Sequence, residues 1–159
     1  MKRIFPIIAA VLVLAGFGIW WFSPKQVIQR RTKSFLSVLT IEKDSGKAAR
    51  MMKPFELNKM LAPEVMLENP EREELNGTLS RTDLESHFSW LCTQAVRTDF
   101  SVEEFKAVNV SGDTAELEFV MKALVELKDY RPADGSYTVS FSWRKEKDGW
   151  RLAAAKWRE

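Results

Sequence analysis

Three hydrophobic patterns follow one another along the chain. Residues 4–22 carry no charge and no polar face. From about residue 25 apolar positions recur at helical spacing, and from Phe100 onward they alternate with polar ones. The first pattern, 19 uncharged residues after Lys2 and Arg3, predicts a helix about 28 Å long, close to the thickness of a hydrocarbon core. Trp20, Trp21 and Phe22 at its end suit the water–lipid boundary, and Pro6 falls in the first turn, where it costs little bonding. The rival reading is a cleaved signal peptide, which needs a small-x-small site. The only late pair, Gly16 and Gly18, would leave residues 19–22 at the mature terminus, so an uncleaved signal-anchor at residues 4–22 is preferred.

Orientation follows from the flanking charges. Lys2 and Arg3 precede the span, while Lys25, Arg30, Arg31 and Lys33 follow it, so the basic count does not decide. So short a leader favours its tip inside and the domain outside the cytoplasmic membrane, on the periplasmic side of a bacterium. The lone Cys92 fits either side.

The second pattern predicts helices. Ser23, Pro24 and Gln26 form an N-cap, first position and capping-box partner. The helix they open carries Val27, Ile28, Phe35, Val38 and Leu39 and ends near Glu42. Asp44 caps a second helix to about Met52, where Pro54 interrupts. A short strand over residues 65–69 leads into an acidic turn closed by Asn76-Gly77. Thr82 begins a third helix with Glu85 at N3, and Leu84, Phe88, Leu91 and Ala95 form its buried stripe.

The third pattern predicts a sheet. Ala115, Leu117, Phe119, Met121 and Ala123 alternate with polar neighbours, as do Tyr137, Val139, Phe141 and Trp143. Residues 147–149 make a hairpin turn into the last strand. Helices first and a meander of strands afterwards indicate an α+β domain, with helices packed on one face of a mostly antiparallel sheet.

Composition narrows the functions. At 159 residues the chain has room for one domain, and 45% apolar residues suffice for a core. One Cys excludes an internal disulfide, and one Cys with one His excludes the common zinc sites. No glycine-rich phosphate loop or cofactor motif occurs, so no cofactor is expected. Residues 54–118 hold five basic and fourteen acidic residues, which disfavours nucleic acid. Residues 25–53 hold eight basic and two acidic. That stretch reads either as a solvated face of a helix pair or as a contact with anionic lipid through Lys25, Arg30, Arg31 and Lys33, at about 1 kcal/mol per basic residue.

Four segments carry a resemblance: "APEVMLENP" at 62–70, "NGTLSRTDLESHF" at 76–88, "AVNVSGDTAELEFV" at 107–120 and "YTVSFSWRKEKDGWRLAAAKW" at 137–157. With the order of elements, residues 24–159 resemble the nuclear-transport-factor-2-like superfamily, including SnoaL-like and ketosteroid-isomerase-like proteins of cystatin-like fold. The resemblance implies a curved sheet wrapping three helices into a cone, with a pocket at the wide end. It implies pocket-lining roles for Phe35, Asn69, His87, Phe119, Met121, Phe141 and Trp143. The isomerase-like enzymes place their general base, an Asp, where this chain has Asn69, and an amide is no base near neutral pH. Their tyrosine donor maps to Phe35 or Leu36 and their second acid near Ser140 and Phe141, so isomerase chemistry is not expected. His87 is the remaining candidate catalytic group, read more readily as a structural or half-exposed imidazole without a located acid partner.

Other residues read as structural. Cys92 is expected to be a small buried hydrophobe. Trp90, Trp143 and Trp150 are expected in the core, and Trp157 on the outer face of the sheet. That face, with Thr114, Glu116, Glu118, Lys122, Ser140, Ser142 and Arg144, suits a modest polar interface with a protein partner or a second copy. The leading expectation is a membrane-anchored, non-catalytic interaction or assembly module. A small-molecule-binding pocket is the alternative, and a lyase or isomerase using His87 comes third.

Overall fold

The structure, a computed structural model, describes residues 17–18, 20–71 and 73–158. Residues 4–16 and 19 of the expected span lie outside these. Among the described residues no helix is long and apolar enough to cross a membrane.

Helix α1 (Pro24–Leu39) starts on the predicted proline, but the Ser23 side chain makes no capping bond, so the expected box with Gln26 does not form. It stops at Leu39 rather than near Glu42 because Thr40 turns extended. The Thr40 hydroxyl donates to the Leu36 carbonyl and accepts from the Phe100 N–H, and Ile41 then bridges to Thr98. Helix α2 (Lys47–Asn58) opens at Gly46 instead of Asp44 and runs through Pro54. An interior proline removes one backbone bond. Here Pro54 and Leu57 are buried, and that packing holds the helix continuous.

Strand β1 (Leu61–Glu68), a 3-10 turn (Glu73–Leu75) and strand β2 (Gly77–Ser80) lead into helix α3 (Arg81–Gln94). The cap of α3 is Ser80, not Thr82. Its hydroxyl accepts from the Asp83 N–H and donates to the Asp83 carboxylate at 2.7 Å. Glu85, freed from the predicted box, accepts from the Asn58 side-chain amide and ties α3 to α2.

Strands β3 (Ala95–Ser111), β4 (Thr114–Leu127), β5 (Ala133–Glu146) and β6 (Gly149–Arg158) complete an α+β architecture. The six-stranded sheet has the order β2-β1-β6-β5-β4-β3. Only β1 and β6 run parallel; the other pairs are antiparallel, as expected of the sheet as a whole. Register breaks in β3, between Val102 and Glu104 and between Phe105 and Ala107, bend the long edge strand. The three described helices pack on one curved face, consistent with the expected cone.

A bulge at Ser142/Trp143 resets the parity of β6. Leu152 pairs with Trp143 and Ala155 with Phe141, so both face inward although they are three residues apart. Trp157 therefore lies opposite Val139 and packs against the core, not on the outer face as alternation alone suggested. Trp150 also packs partly against the core, whereas Trp90 is 59% exposed and does not belong to it.

The core is apolar save for a few buried groups. The Thr32 hydroxyl is fully buried and has no hydrogen-bond partner among the described residues. A buried hydroxyl left unpaired costs about 1–3 kcal/mol. Thr32→Val keeps the branched shape and removes the oxygen, so it is expected to leave stability unchanged or raise it by about 1 kcal/mol. A urea titration checks this; a clear loss would mean that the hydroxyl has a partner in solution.

Candidate functional site

The inner face of β4 and β5 brings together most of the residues expected to line a pocket. Leu117 pairs with Phe141, Phe119 with Val139 and Ala115 with Trp143, all buried. Phe35 projects from α1 onto this surface and meets Phe141 and Trp143 edge-on, with ring centroids 5.5 and 6.0 Å away. Phe119 meets Phe141 at 5.0 Å. Edge-to-face packing of this kind fills space while satisfying the ring quadrupoles. These four positions pack against one another, and none is more than 5% exposed.

A cleft of about 600 Å³ opens between α1, α2 and β3, with Lys33, Leu36, Thr40, Lys53, Phe100 and Val102 among its walls. A second, of about 290 Å³, lies at the mouth, between the three helices, β1 and β6. Its walls include Phe35, Leu57, Val65, Phe88 and Leu152, and His87 sits at the edge. Because α3 carries Leu84, His87, Phe88 and Leu91 on adjoining turns, the helix that seals the core also presents the imidazole. His87 is exposed, and no described residue hydrogen-bonds to it. Met121 and Asn69 are not among the cleft residues. Asn69 is buried in the turn after β1, where its side-chain carbonyl accepts from the Glu71 N–H and its own N–H bonds to the Asn76 side chain. The position expected for a base thus serves a turn.

Arg50 is the residue that pattern reading missed. From α2 its guanidinium donates to the Ser45 hydroxyl, to the carbonyls of Glu42 and Lys43, and to those of Ala95 at 2.6 Å and Val96 at 3.0 Å. It clamps the loop before α2 to the junction of α3 and β3. Beside it lies a hollow of about 520 Å³ lined by Met51, Ser89, Cys92 and Thr93.

Cys92 is 3% exposed, as expected of a small buried hydrophobe. Burial pushes its thiol pKa up, while Lys53 and Arg50 pull the other way. Above the ordinary thiol value of about 8.5 the unfolded chain ionises first. The stability contributed by the protonated thiol is therefore present below that value and lost as pH rises through the folded one. Cys92→Ala is expected to lower overall stability yet flatten its decline in alkaline solution, which denaturation at several pH values would read. An unchanged slope would sink the assignment. Among the described residues, no three His, Cys, Asp or Glu side chains gather as metal ligands.

The outer face of the sheet is polar, with Glu68 and Lys156 paired at 2.7 Å beside a shallow groove of about 300 Å³. Ala107, Ser140, Ser142 and Ala154 are among the residues that line it.

No family model and no curated protein sequence matches this chain. Solved structures do. A candidate aromatic ring hydroxylase from Novosphingobium aromaticivorans superposes with a TM-score of 0.66 at 12% identity, over 82% of this chain and 84% of that one. A nuclear transport factor 2-like superfamily protein from Salmonella enterica serovar Typhimurium gives 0.63 at 18% identity, over 84% and 89%. A candidate scytalone dehydratase from Novosphingobium aromaticivorans gives 0.61 at 16%, over 82% and 80%. At such identities the likeness is one of fold, and the fold is NTF2-like.

Proposed function

We propose that this chain is a membrane-anchored NTF2-like module that works by binding rather than by catalysis, with its domain outside the cytoplasmic membrane as an interaction or assembly piece. The observation that carries this reading is the aromatic interior, where Phe35, Phe119, Phe141 and Trp143 pack ring against ring with none more than 5% exposed. General acid–base chemistry needs a titrating group within hydrogen-bond reach of the reacting proton. The amide of Asn69 does not titrate and is committed to a turn, and His87 stands at the cleft edge with no carboxylate bonded to it. Two of the similar structures are candidate enzymes, a hydroxylase and a dehydratase, and at 12% and 16% identity their names bring no chemistry to this chain. The uncharged run over residues 4–22 supports the anchor. The polar, grooved outer sheet face is the surface offered for protein contact.

A second reading, a small-molecule binder, is favoured by the mouth cleft. Its 290 Å³ is just under the ~300–1,000 Å³ of ligand pockets, and its walls are apolar.

The test uses the full chain. Membranes carrying it are washed with alkaline carbonate, and the detergent-extracted protein is weighed by native mass spectrometry. The expected result is retention in the pellet and a bare monomer, dimer or protein complex. Release by carbonate would overturn the anchor, and a stoichiometric small adduct would overturn the interaction reading in favour of the binder. His87→Ala is expected to change unfolding by less than about 0.5 kcal/mol. A larger loss would show that the imidazole has a partner in solution.

A further inference from the structure

The end of the domain from which the N-terminal segment leaves is assembled from pieces far apart in sequence. Nε of Arg31 on α1 donates to the Trp150 carbonyl in the β5–β6 hairpin at 3.0 Å. From the same hairpin Arg151 reaches the Lys59 carbonyl after α2, and the Lys145 N–H bonds to the Asp113 carbonyl between β3 and β4 at 2.7 Å. These bonds bring the first half of α1 and the β5–β6 hairpin into one rim.

The charge of that rim is not balanced. Its acids Glu146 and Asp148 are taken by Arg144 and Arg151, at 3.2 to 3.5 Å. Lys25, Arg30, Arg31, Lys145 and Lys147 form no ion pair with a described residue. Burial, and then the neighbouring Arg151, holds the Arg31 guanidinium below the usual arginine range. With Glu146 and Asp148 already engaged by Arg144 and Arg151, the remaining cations of the rim favour an anion from outside.

The same end is aromatic. Phe17, Trp20, Trp21 and Phe22 are 42–74% exposed. The Arg30 guanidinium lies 4.3 Å from the Trp21 ring centroid, tying this cluster to α1, and one of its nitrogens is buried without a partner among the described residues. Aromatic rings beside free cations match the headgroup layer, where amphipathic rings and basic side chains meet phosphate.

We infer that this rim seats the domain on the anionic phospholipid headgroups of a bilayer, with Trp20, Trp21 and Phe22 at the interface and Lys25, Arg30, Arg31, Lys145 and Lys147 against phosphate. The inference rests on the anchored reading, because the uncharged residues 4–22 deliver this end to the membrane. A soluble phosphate needs only one or two cations, whereas this rim spreads its cations over two elements beside an exposed aromatic cluster. Lys33 is not in it; its ammonium lies 5.5 Å from the Phe105 ring centroid on β3.

Hydrogen exchange of the full chain tests this, in nanodiscs of zwitterionic lipid alone and with about a third phosphatidylglycerol. Anionic lipid is expected to slow exchange in peptides covering residues 24–33 and 144–151, and the effect should vanish in about 1 M salt, where the screening length is roughly 3 Å. Lys145→Glu with Lys147→Glu, both exposed positions, should reduce the protection at least about tenfold. Equal exchange in the two lipids, from a chain stably inserted in both, would overturn the inference and leave the anchor standing. A chain that fails to insert would overturn the anchored reading and this inference together. The same protection from inorganic phosphate in detergent would overturn the bilayer as occupant and assign the rim to a soluble anion.

Discussion

Truncating Phe141 to Ala is expected to destabilise the domain by about 3–5 kcal/mol, the range for removing a buried aromatic ring. Phe141 stands at the centre of the ring cluster, in edge contact with Phe35, Phe119 and Trp143 at once. Its strand positions are pinned on both sides, by Leu117 on β4 and Ala155 on β6, so neighbouring side chains cannot collapse into the gap. The variant should also acquire a dry apolar void at the ring cluster that takes benzene-sized molecules. Chemical denaturation reads the first effect and xenon or benzene binding the second. Trp90→Ala, a larger truncation at an exposed site, should change stability by less than about 0.5 kcal/mol. Similar losses for the two variants would mean that the rings are not the core.

Replacing Arg50 by Met should cost about 3 kcal/mol. Hydrogen bonds to charged groups are each worth roughly 1.5–3 kcal/mol and do not add fully. Here one guanidinium serves the loop before α2, the end of α3 and the start of β3. Some of those carbonyls are only part-buried, so water recovers part of the loss. Arg50→Lys should restore less than half, because an ammonium lacks the planar fork that spans three backbone segments. Equilibrium unfolding of both variants checks this, and full rescue by lysine would reduce the clamp to a simple charge.

The fold was legible where one face of an element is buried throughout. Leu117 and Phe119 on β4, and Val139, Phe141 and Trp143 on β5, alternate cleanly because each strand packs one side on helices. Helix starts were legible only to within a turn. Ser80 and Thr82 are equally good cap residues, and Ser80 prevails because it ends β2 and its hydroxyl meets the Asp83 N–H. Pro54 misled because local bonding argues for a break while burial of Pro54 and Leu57 does not. The bulge that turns Trp157 inward leaves no mark on polarity, since Ala153, Ala154 and Ala155 look alike.

The candidate site was half legible. Phe35, Phe119, Phe141 and Trp143, expected to line a pocket, meet one another in the core, and those contacts depend on how far α1 sits from the sheet, which periodicity does not encode. Arg50 was invisible for a different reason. Its partners are mostly main-chain carbonyls, and every residue type offers one of those.

The place of β6 in the sheet also constrains how the molecule comes into being. This last strand of the fold lies between β1 and β5, pairing parallel to the first and antiparallel to the second. Residues 69–148 therefore leave the ribosome before β1 can meet its long-lived neighbour, and until then β1 and β2 form a two-stranded hairpin that is marginal on its own. A nascent chain made as far as residue 148 cannot close the cone, and domain assembly waits for the final strand. Such non-local closure predicts slow folding with a late, cooperative step.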